Sequence, residues 1–316
     1  MAEFQVGGQA VIEGVMIRSE THISTAVRRA DHSILVKTYP YTPLSKKIKL
    51  FALPIIRGFI AMVEMLKIGI GSLNFSAEMM AQDIDIAEGK DPVEQKKSSG
   101  LMMVLSVVFA VGVGVLFFFL VPLWIASLLG YGKDALVFNL IAGGVRVALF
   151  VGYVLMLSML KDFRRIFEYH GAEHKSIWAW EQKEEITAEN AKKYTTLHPR
   201  CGTSFILIVA LFAILMFAIA DTLFQVLTGN PPQLLVRFGV HILLLPLVAG
   251  SSYELLKLSG KTRDNKLTKV LIKPGLWLQL ITTKEPNMEQ LEVAVVAVRA
   301  SLGLPQQVQV NELADA

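Results

Sequence analysis

Residues 168–175 read Glu-Tyr-His-Gly-Ala-Glu-His-Lys. His170 and His174 are four residues apart, so on a helix they share one face. Two imidazoles on one face can hold a single divalent metal, with zinc the first choice. Glu173, beside the second histidine, is placed to act as general base toward an activated water. Downstream, His198-Pro199-Arg200-Cys201-Gly202 sets an imidazole and a thiol three apart around a turn that Pro and Gly favour. His198 and Cys201 are further candidate ligands. Arg200 is a candidate to lower the Cys201 pKa, and Glu168 is a supporting carboxylate.

His-x-x-Glu-His is the motif of inverted zincins, which take a Glu well downstream as third protein ligand. Glu254 is the candidate here. The plain alternatives are histidines bonded to backbone carbonyls or lipid phosphate, and an inert buried thiol at Cys201.

These residues sit in the most charged stretch of a very apolar chain. Of 316 residues, 53% are hydrophobic and 18% charged, against about 25% charged in soluble domains. Four segments have the ~20 apolar residues a membrane span needs: Leu101–Leu129, Ala135–Leu160, Ser204–Leu227 and Leu234–Leu258. The expected fold is an α-helical integral membrane protein with four transmembrane helices in two hairpins, an interfacial amphipathic helix and a small N-terminal cytoplasmic β unit. Lys and Arg crowd the loop Lys161–Thr203, the flank before Leu101 and the tail after Leu258. The N-terminus, central loop and C-terminus are therefore expected in the cytoplasm. Met1–Leu53 lacks the basic-then-apolar pattern of a signal peptide. No basic stripe is interleaved with aromatics, so no specific nucleic-acid recognition is expected. The single Cys excludes an internal disulfide.

The organisation reads as a β unit over 1–45, an amphipathic helix over 46–80, a linker over 81–100 and a first hairpin over 101–160. The metal-site loop over 161–203 follows, then a second hairpin over 204–258 and a tail over 259–316. In the β unit, Ser24–Arg29 and Ser33–Tyr39 pair around Ala30-Asp31-His32, with one further strand at Ala10–Arg18. The amphipathic helix starts near Pro54 and lies on the membrane surface, with a re-entrant or spanning segment as its rival. Asp162–Trp180 is a helix with both histidines inward, and Gly171 marks a close approach or a break. In the tail, Pro274-Gly275 breaks the chain, Met288–Leu302 is an amphipathic helix begun at Asn287 or at Glu285-Pro286, and the last residues fray. Trp178, Trp180 and Trp277 are interface anchors. Inside the spans, Asp221 is expected to pair with Arg146 or Arg237, with His241 in the same network. The alternative is a positive pocket for a lipid headgroup or an anionic substrate.

Gly7–Met16, Tyr169–Lys175, His198–Phe205, Pro274–Trp277 and Thr282–Pro286 together closely resemble the YqhQ-like family of bacterial multi-span membrane proteins. The resemblance spans nearly the whole chain. It implies location in the bacterial cytoplasmic (inner) membrane and carries the label of predicted metal-dependent enzyme. It also implies that Gln9 and Glu13 pack against the central loop and support its site. Three functions follow as expectations. The first is a metal-dependent hydrolase at the cytoplasmic membrane surface, acting on a lipid, a prenyl compound or a membrane-emerging peptide. The second is a non-enzymatic scaffold or biogenesis factor that binds a translocon or a membrane-docked ribosome. The third is lipid or anion transport.

Overall fold

The computed structural model describes residues 6–90, 100–130, 135–261 and 265–313. Five strands form one sheet in the order β1-β2-β3-β4-β5. They are β1 (Gly7–Val11), β2 (Gly14–Arg18), β3 (His22–Arg28), β4 (Ile34–Pro40) and β5 (Val310–Leu313). The first four make an antiparallel meander, and β5 joins β4 in parallel.

Two expectations change here. Ala10–Arg18 is not one strand: Val11 pairs with Gly14 across a tight turn at Ile12 and Glu13, where Glu13 has φ 53°. The tail does not simply fray, because Val310 opposite Ile34 begins the fifth strand.

Both faces of the sheet are covered, as the period-2 alternation of its side chains allows. After the short α1 (Leu44–Lys47), the long α2 (Ile56–Ala87) covers one face. Its Phe75 and Met79 pack on Val11, Met16, Ile23 and Val27. The other face presents Val15, Ile17, Ala26, Ile34 and Val36 to three helices. These are α6 (Lys161–Glu181), α7 (Ala188–Lys192) and α11 (Met288–Ser301). The Asn287 side chain caps α11 in a reciprocal box with Gln290. This helix is not a surface amphipath. Leu291 and Val293–Val298 are all buried, as suits a helix apolar on every side.

The remaining helices are very apolar. They are α3 (Gly100–Val115), a π-helical stretch Leu116–Leu120, α4 (Val121–Leu128), α5 (Ala135–Ser158), α8 (Gly202–Thr228), α9 (Leu234–Lys261) and α10 (Lys266–Thr282). Among the described residues, four segments are long and apolar enough to cross a membrane: Leu105–Leu128, Ala135–Ser158, Ile206–Thr228 and Leu234–Leu255. α5 packs on α8, α8 on α9 and α10, and α4 on α5. The expected break at Pro274-Gly275 does not occur. α10 runs through Pro274, and burial of Gly275 and Leu278 fixes the turn that follows.

Two of the joints between the sheet unit and the apolar helices lie outside the site described below. At one, α5 ends at Ser158 and α6 begins at Lys161, with Leu160 extended between them. At the other, α2 crosses α9. Both Glu254 carboxylate oxygens accept from Arg57, and Gly250 lies against the Ile55 carbonyl.

Candidate metal centre

α6 carries the site. Its inner face packs on the sheet, so Tyr169, Ala172 and Ile177 are buried in that core. The turn between them carries His170, Glu173 and His174. His174 is 1% exposed and Glu173 4%. Gly171 is where the C-terminal segment crosses. A Cβ there would lie 2.0 Å from the Lys284 carbonyl oxygen, while the Lys284 N–H donates to Phe167 O at 2.8 Å. Gly171 therefore permits a backbone crossing and does not break the helix.

That crossing holds the first histidine. His170 Nδ1 lies 2.8 Å from the Thr282 carbonyl. His174 Nδ1 bonds the Thr196 carbonyl in the same way, at 2.5 Å. A carbonyl can only accept, so each Nδ1 carries a proton, which leaves Nε2 as the nitrogen that would ligate once it is unprotonated. Both Nε2 atoms face Cys201, in the turn before α8. His170 Nε2 is 3.2 Å from the Cys201 sulfur. Among the described residues, the buried Nε2 of His174 has only the Cys201 sulfur near it, and Glu173 Oε2 has no hydrogen-bond partner.

The ligand atoms of His170, His174 and Cys201 all lie within 4.8 Å of one another. A tetrahedral zinc with bonds of about 2.0–2.3 Å needs donors about 3.3–3.6 Å apart, so the widest pair would have to close by about 1 Å. Two imidazoles and one thiolate, with carbonyls fixing both rings from behind, are a chemically suitable donor set for a divalent ion. The site thus could hold a metal.

Without a metal, the electrostatics of the trio describe a thiolate beside an imidazolium. Burial opposes a thiolate at Cys201, but the His170 and His174 imidazoles outweigh it and bring the thiol well below its usual range. Burial alone would depress His170, yet the sulfur beside it lifts the ring to about 9. Burial and the neighbouring His170 lower His174. Burial raises the Glu173 carboxyl to about 8, against the pull of His170 and of a hydrogen bond from the Gly8 N–H.

The other candidates fall elsewhere. His198 is outside the trio: its Nε2 faces Glu181 at 3.1 Å, and its Nδ1 accepts from the Arg200 N–H at 3.3 Å. Its ring lies 5.6 Å from that of His174 and 4.9 Å from that of Trp178. Trp178 donates to Leu197 O at 2.9 Å, so it walls the site and is not an interface anchor. Trp180 also packs into the sheet core, whereas Trp277 is exposed. Arg200 pairs with Glu181. Glu254 is occupied by Arg57 at the α2–α9 joint and is not in the trio. Glu168 accepts from Gln290 at 3.0 Å. Gln9 reaches Gly69 on α2 and not the central loop, while Glu13 accepts from Arg165 and from the Tyr169 hydroxyl on α6.

The four intramembrane candidates form a separate group. Asp221 takes Arg237 and His241, each at 3.2 Å, while Arg146 bonds the Phe118 carbonyl at 2.9 Å.

Several residues that build the site escaped sequence reasoning. Gln279 brackets His198 through both its backbone N–H and C=O, at 2.8 and 2.7 Å. Thr196, Thr282 and Gly8 act through their backbones. Gly8 and Thr282 lie within stretches that carry the resemblance, which was the available signal. Gln279 and Glu181 had none.

A family model covering residues 53–304 matches this chain; its description is "Protein of unknown function (DUF1385)". The chain belongs to that family. It is also 38% identical to "Uncharacterized protein YqhQ" of Bacillus subtilis (strain 168) over 308 residues, which is 94% of this chain and 92% of that protein. No solved structure matches.

Proposed function

We propose that this protein is a metal-dependent hydrolase in the bacterial cytoplasmic membrane, with its zinc-type centre at the cytoplasmic surface. The observation that carries the reading is the trio His170, His174 and Cys201, backed by two carbonyls and flanked by Glu173, whose Oε2 is unpartnered among the described residues. A divalent ion held by the trio would polarise a carbonyl or phosphoryl oxygen and acidify water. Glu173 takes up and returns the proton, and Gly8 N–H fixes its carboxylate for that role. The substrate class is an ester, amide or phosphoester of a lipid or of a membrane-emerging peptide.

The membrane setting is part of this proposal. The four apolar helices span in two hairpins, with Phe109, Leu215 and Leu243 projecting outward to lipid. The Lys and Arg bias places the sheet unit and the α5–α6 joint in the cytoplasm. Lys46, Lys47 and Lys49 beside exposed Leu50, Leu53 and Leu66 suit contact with an anionic lipid surface.

The scaffold reading gained from Gly7–Met16, which lacked an obvious catalytic use. The contacts of Glu13 with Arg165 and Tyr169 on α6, and the Gly8 N–H beside Glu173, support a role for that stretch in shaping the site. A second reading has its own observation. The 3.2 Å contact between sulfur and imidazole also suits Cys201 as a thiolate nucleophile with His170 as its base.

Elemental mass spectrometry of the detergent-purified protein tests these readings, beside the His170→Ala, His174→Ala and Cys201→Ser variants. The expected result is about one zinc per chain, lost in each variant. Absence of metal after zinc loading, with rapid alkylation of Cys201 by iodoacetamide, supports the nucleophile. Absence of both metal and alkylation, with a co-purifying translocon or ribosome, supports the scaffold.

A further inference from the structure

A second polar site lies within the apolar helices, and Asp221 is its centre. Its carboxylate accepts from Asn139 at 2.8 Å and lies 3.2 Å from both Arg237 and His241. The Arg237 guanidinium also covers the Phe138 ring at 3.6 Å. One carboxylate thus balances one guanidinium, with a histidine and an amide completing its shell.

Arg146 is left over. It is the twelfth residue of the 24-residue α5, with about 18 Å of helix on either side. It is 8% exposed, so its head does not reach a membrane surface as long basic side chains usually do. Its Nε donates to the Phe118 carbonyl at 2.9 Å. That carbonyl belongs to the π-helical stretch Leu116–Leu120, a type of distortion that frees a backbone acceptor and recurs at functional sites. Phe119 and Phe217 face the guanidinium carbon at 4.8 and 5.4 Å. The Phe217 ring also stacks on His241 at 4.0 Å, which ties this group to the Asp221 network. No carboxylate among the described residues pairs with Arg146, and its two terminal nitrogens have no hydrogen-bond partner among them. Arginine cannot shed its proton, and a lone intramembrane charge is costly. Purely structural packing would be served better by an apolar side chain of similar size.

We propose that Arg146, held by the Phe118 carbonyl between Phe119 and Phe217, binds one anionic oxygen group, a phosphate or carboxylate, within the helix bundle. A planar guanidinium with both terminal nitrogens available takes such a group through two parallel hydrogen bonds. The group arrives either as part of an anionic lipid or as a free anion. The site is separate from the metal centre and rests on the membrane reading of the four helices.

The test is native mass spectrometry with thermal melting of the detergent-purified full chain. Wild type, Arg146→Met and Arg146→Lys are each supplied with phosphatidylglycerol, neutral diacylglycerol or inorganic phosphate. Retention of phosphatidylglycerol and a raised melting temperature with it, but not with diacylglycerol, are expected for wild type. Arg146→Met should weaken this binding roughly tenfold to a hundredfold, the range for a lost charge-assisted hydrogen bond. Arg146→Lys should retain part of it. An equal response to inorganic phosphate identifies the free anion as the source. If Arg146→Met folds and binds phosphatidylglycerol and phosphate as wild type does, the site is overturned. If Arg146→Met does not fold, a wild type and an Arg146→Lys variant that bind neither probe overturn it. Carbonate extraction of membranes reports separately on the membrane reading: a chain that stays in the washed bilayer yet fails the binding test loses the anion site alone.

Discussion

Gly171→Ala is the smallest change that should disable the metal centre. The new methyl would lie 2.0 Å from the Lys284 oxygen, where ordinary contact begins at 3.4 Å. The crossing strand must therefore retreat by roughly 1 Å, since backbone cannot rotate away as a side chain does. Thr196 Cγ2, at 3.2 Å, blocks escape on the other side. Retreat pulls the Lys284 N–H from Phe167 O and carries with it Thr282, whose carbonyl fixes His170. Overpacking costs about 1–3 kcal/mol, and a mid-helix Gly→Ala change returns about 0.5–1 kcal/mol. The net expectation is a loss of about 0–2.5 kcal/mol in stability. Zinc affinity should fall about 10- to 100-fold, as for loss of an outer hydrogen bond to a ligand histidine. Competition against a fluorescent chelator in detergent measures the affinity, and thermal melting of the metal-free protein measures the stability. A Gly171→Ala protein that binds zinc as tightly as wild type and melts no lower would refute the crossing as the element that positions His170.

Other expected outcomes concern the catalytic group and the two joints. Glu173→Gln should keep its zinc by elemental analysis and lose hydrolysis of whatever ester or amide the wild type cleaves; full turnover would remove Glu173 from the chemistry. Gly250→Ala should lower the melting temperature, because its Cβ would meet the Ile55 oxygen at 2.3 Å and Ile55 already sits at φ 69°. Gly152→Ala, with nothing within 4 Å, should be neutral or raise it slightly. Asp221→Asn leaves Arg237 without its carboxylate, and a cost of about 3–5 kcal/mol is expected in denaturant unfolding; a variant within 1 kcal/mol of wild type would show that the ion pair contributes little.

What could be read in advance followed from local pattern. The spacing of Phe163, Phe167, His170, His174 and Trp178 set a helix with both imidazoles inward, and α6 spans Lys161–Glu181. Of the two starts the sequence offers for α11, Asn287 and Glu285-Pro286, the structure uses Asn287 as the cap, with Gln290 completing the box. The errors came where tertiary packing decides. Glu13, a non-Gly residue, takes φ 53° just before Gly14 and reverses the chain there, so two strands read as one. Pro274 continues α10 because burial of Gly275, Leu278 and Gln279 outweighs one lost backbone bond. The Val-Ala-Val-Val-Ala-Val run of 293–298 is apolar on every side, a signal of full burial that the expectation of an amphipathic helix over Met288–Leu302 passes over.

The site itself is assembled from several parts of the chain that no local pattern joins. α6 supplies both histidines and Glu173, the turn before α8 supplies Cys201, and the C-terminal end of α10 supplies the carbonyl behind His170. β1 adds the N–H that holds Glu173. The sheet makes this possible, because the same β unit that donates from Gly8 is packed by α11 and completed by β5 from the C-terminal end. Chain ends that meet across α6 explain why motifs so far apart in sequence serve one centre. The metal ligands should thus form only after both termini have docked. Removing 305–316, which deletes β5 but touches no ligand, should weaken zinc binding in the same competition assay. Unchanged affinity in that truncation would show that α6 and the loop over 195–201 organise the centre without the sheet.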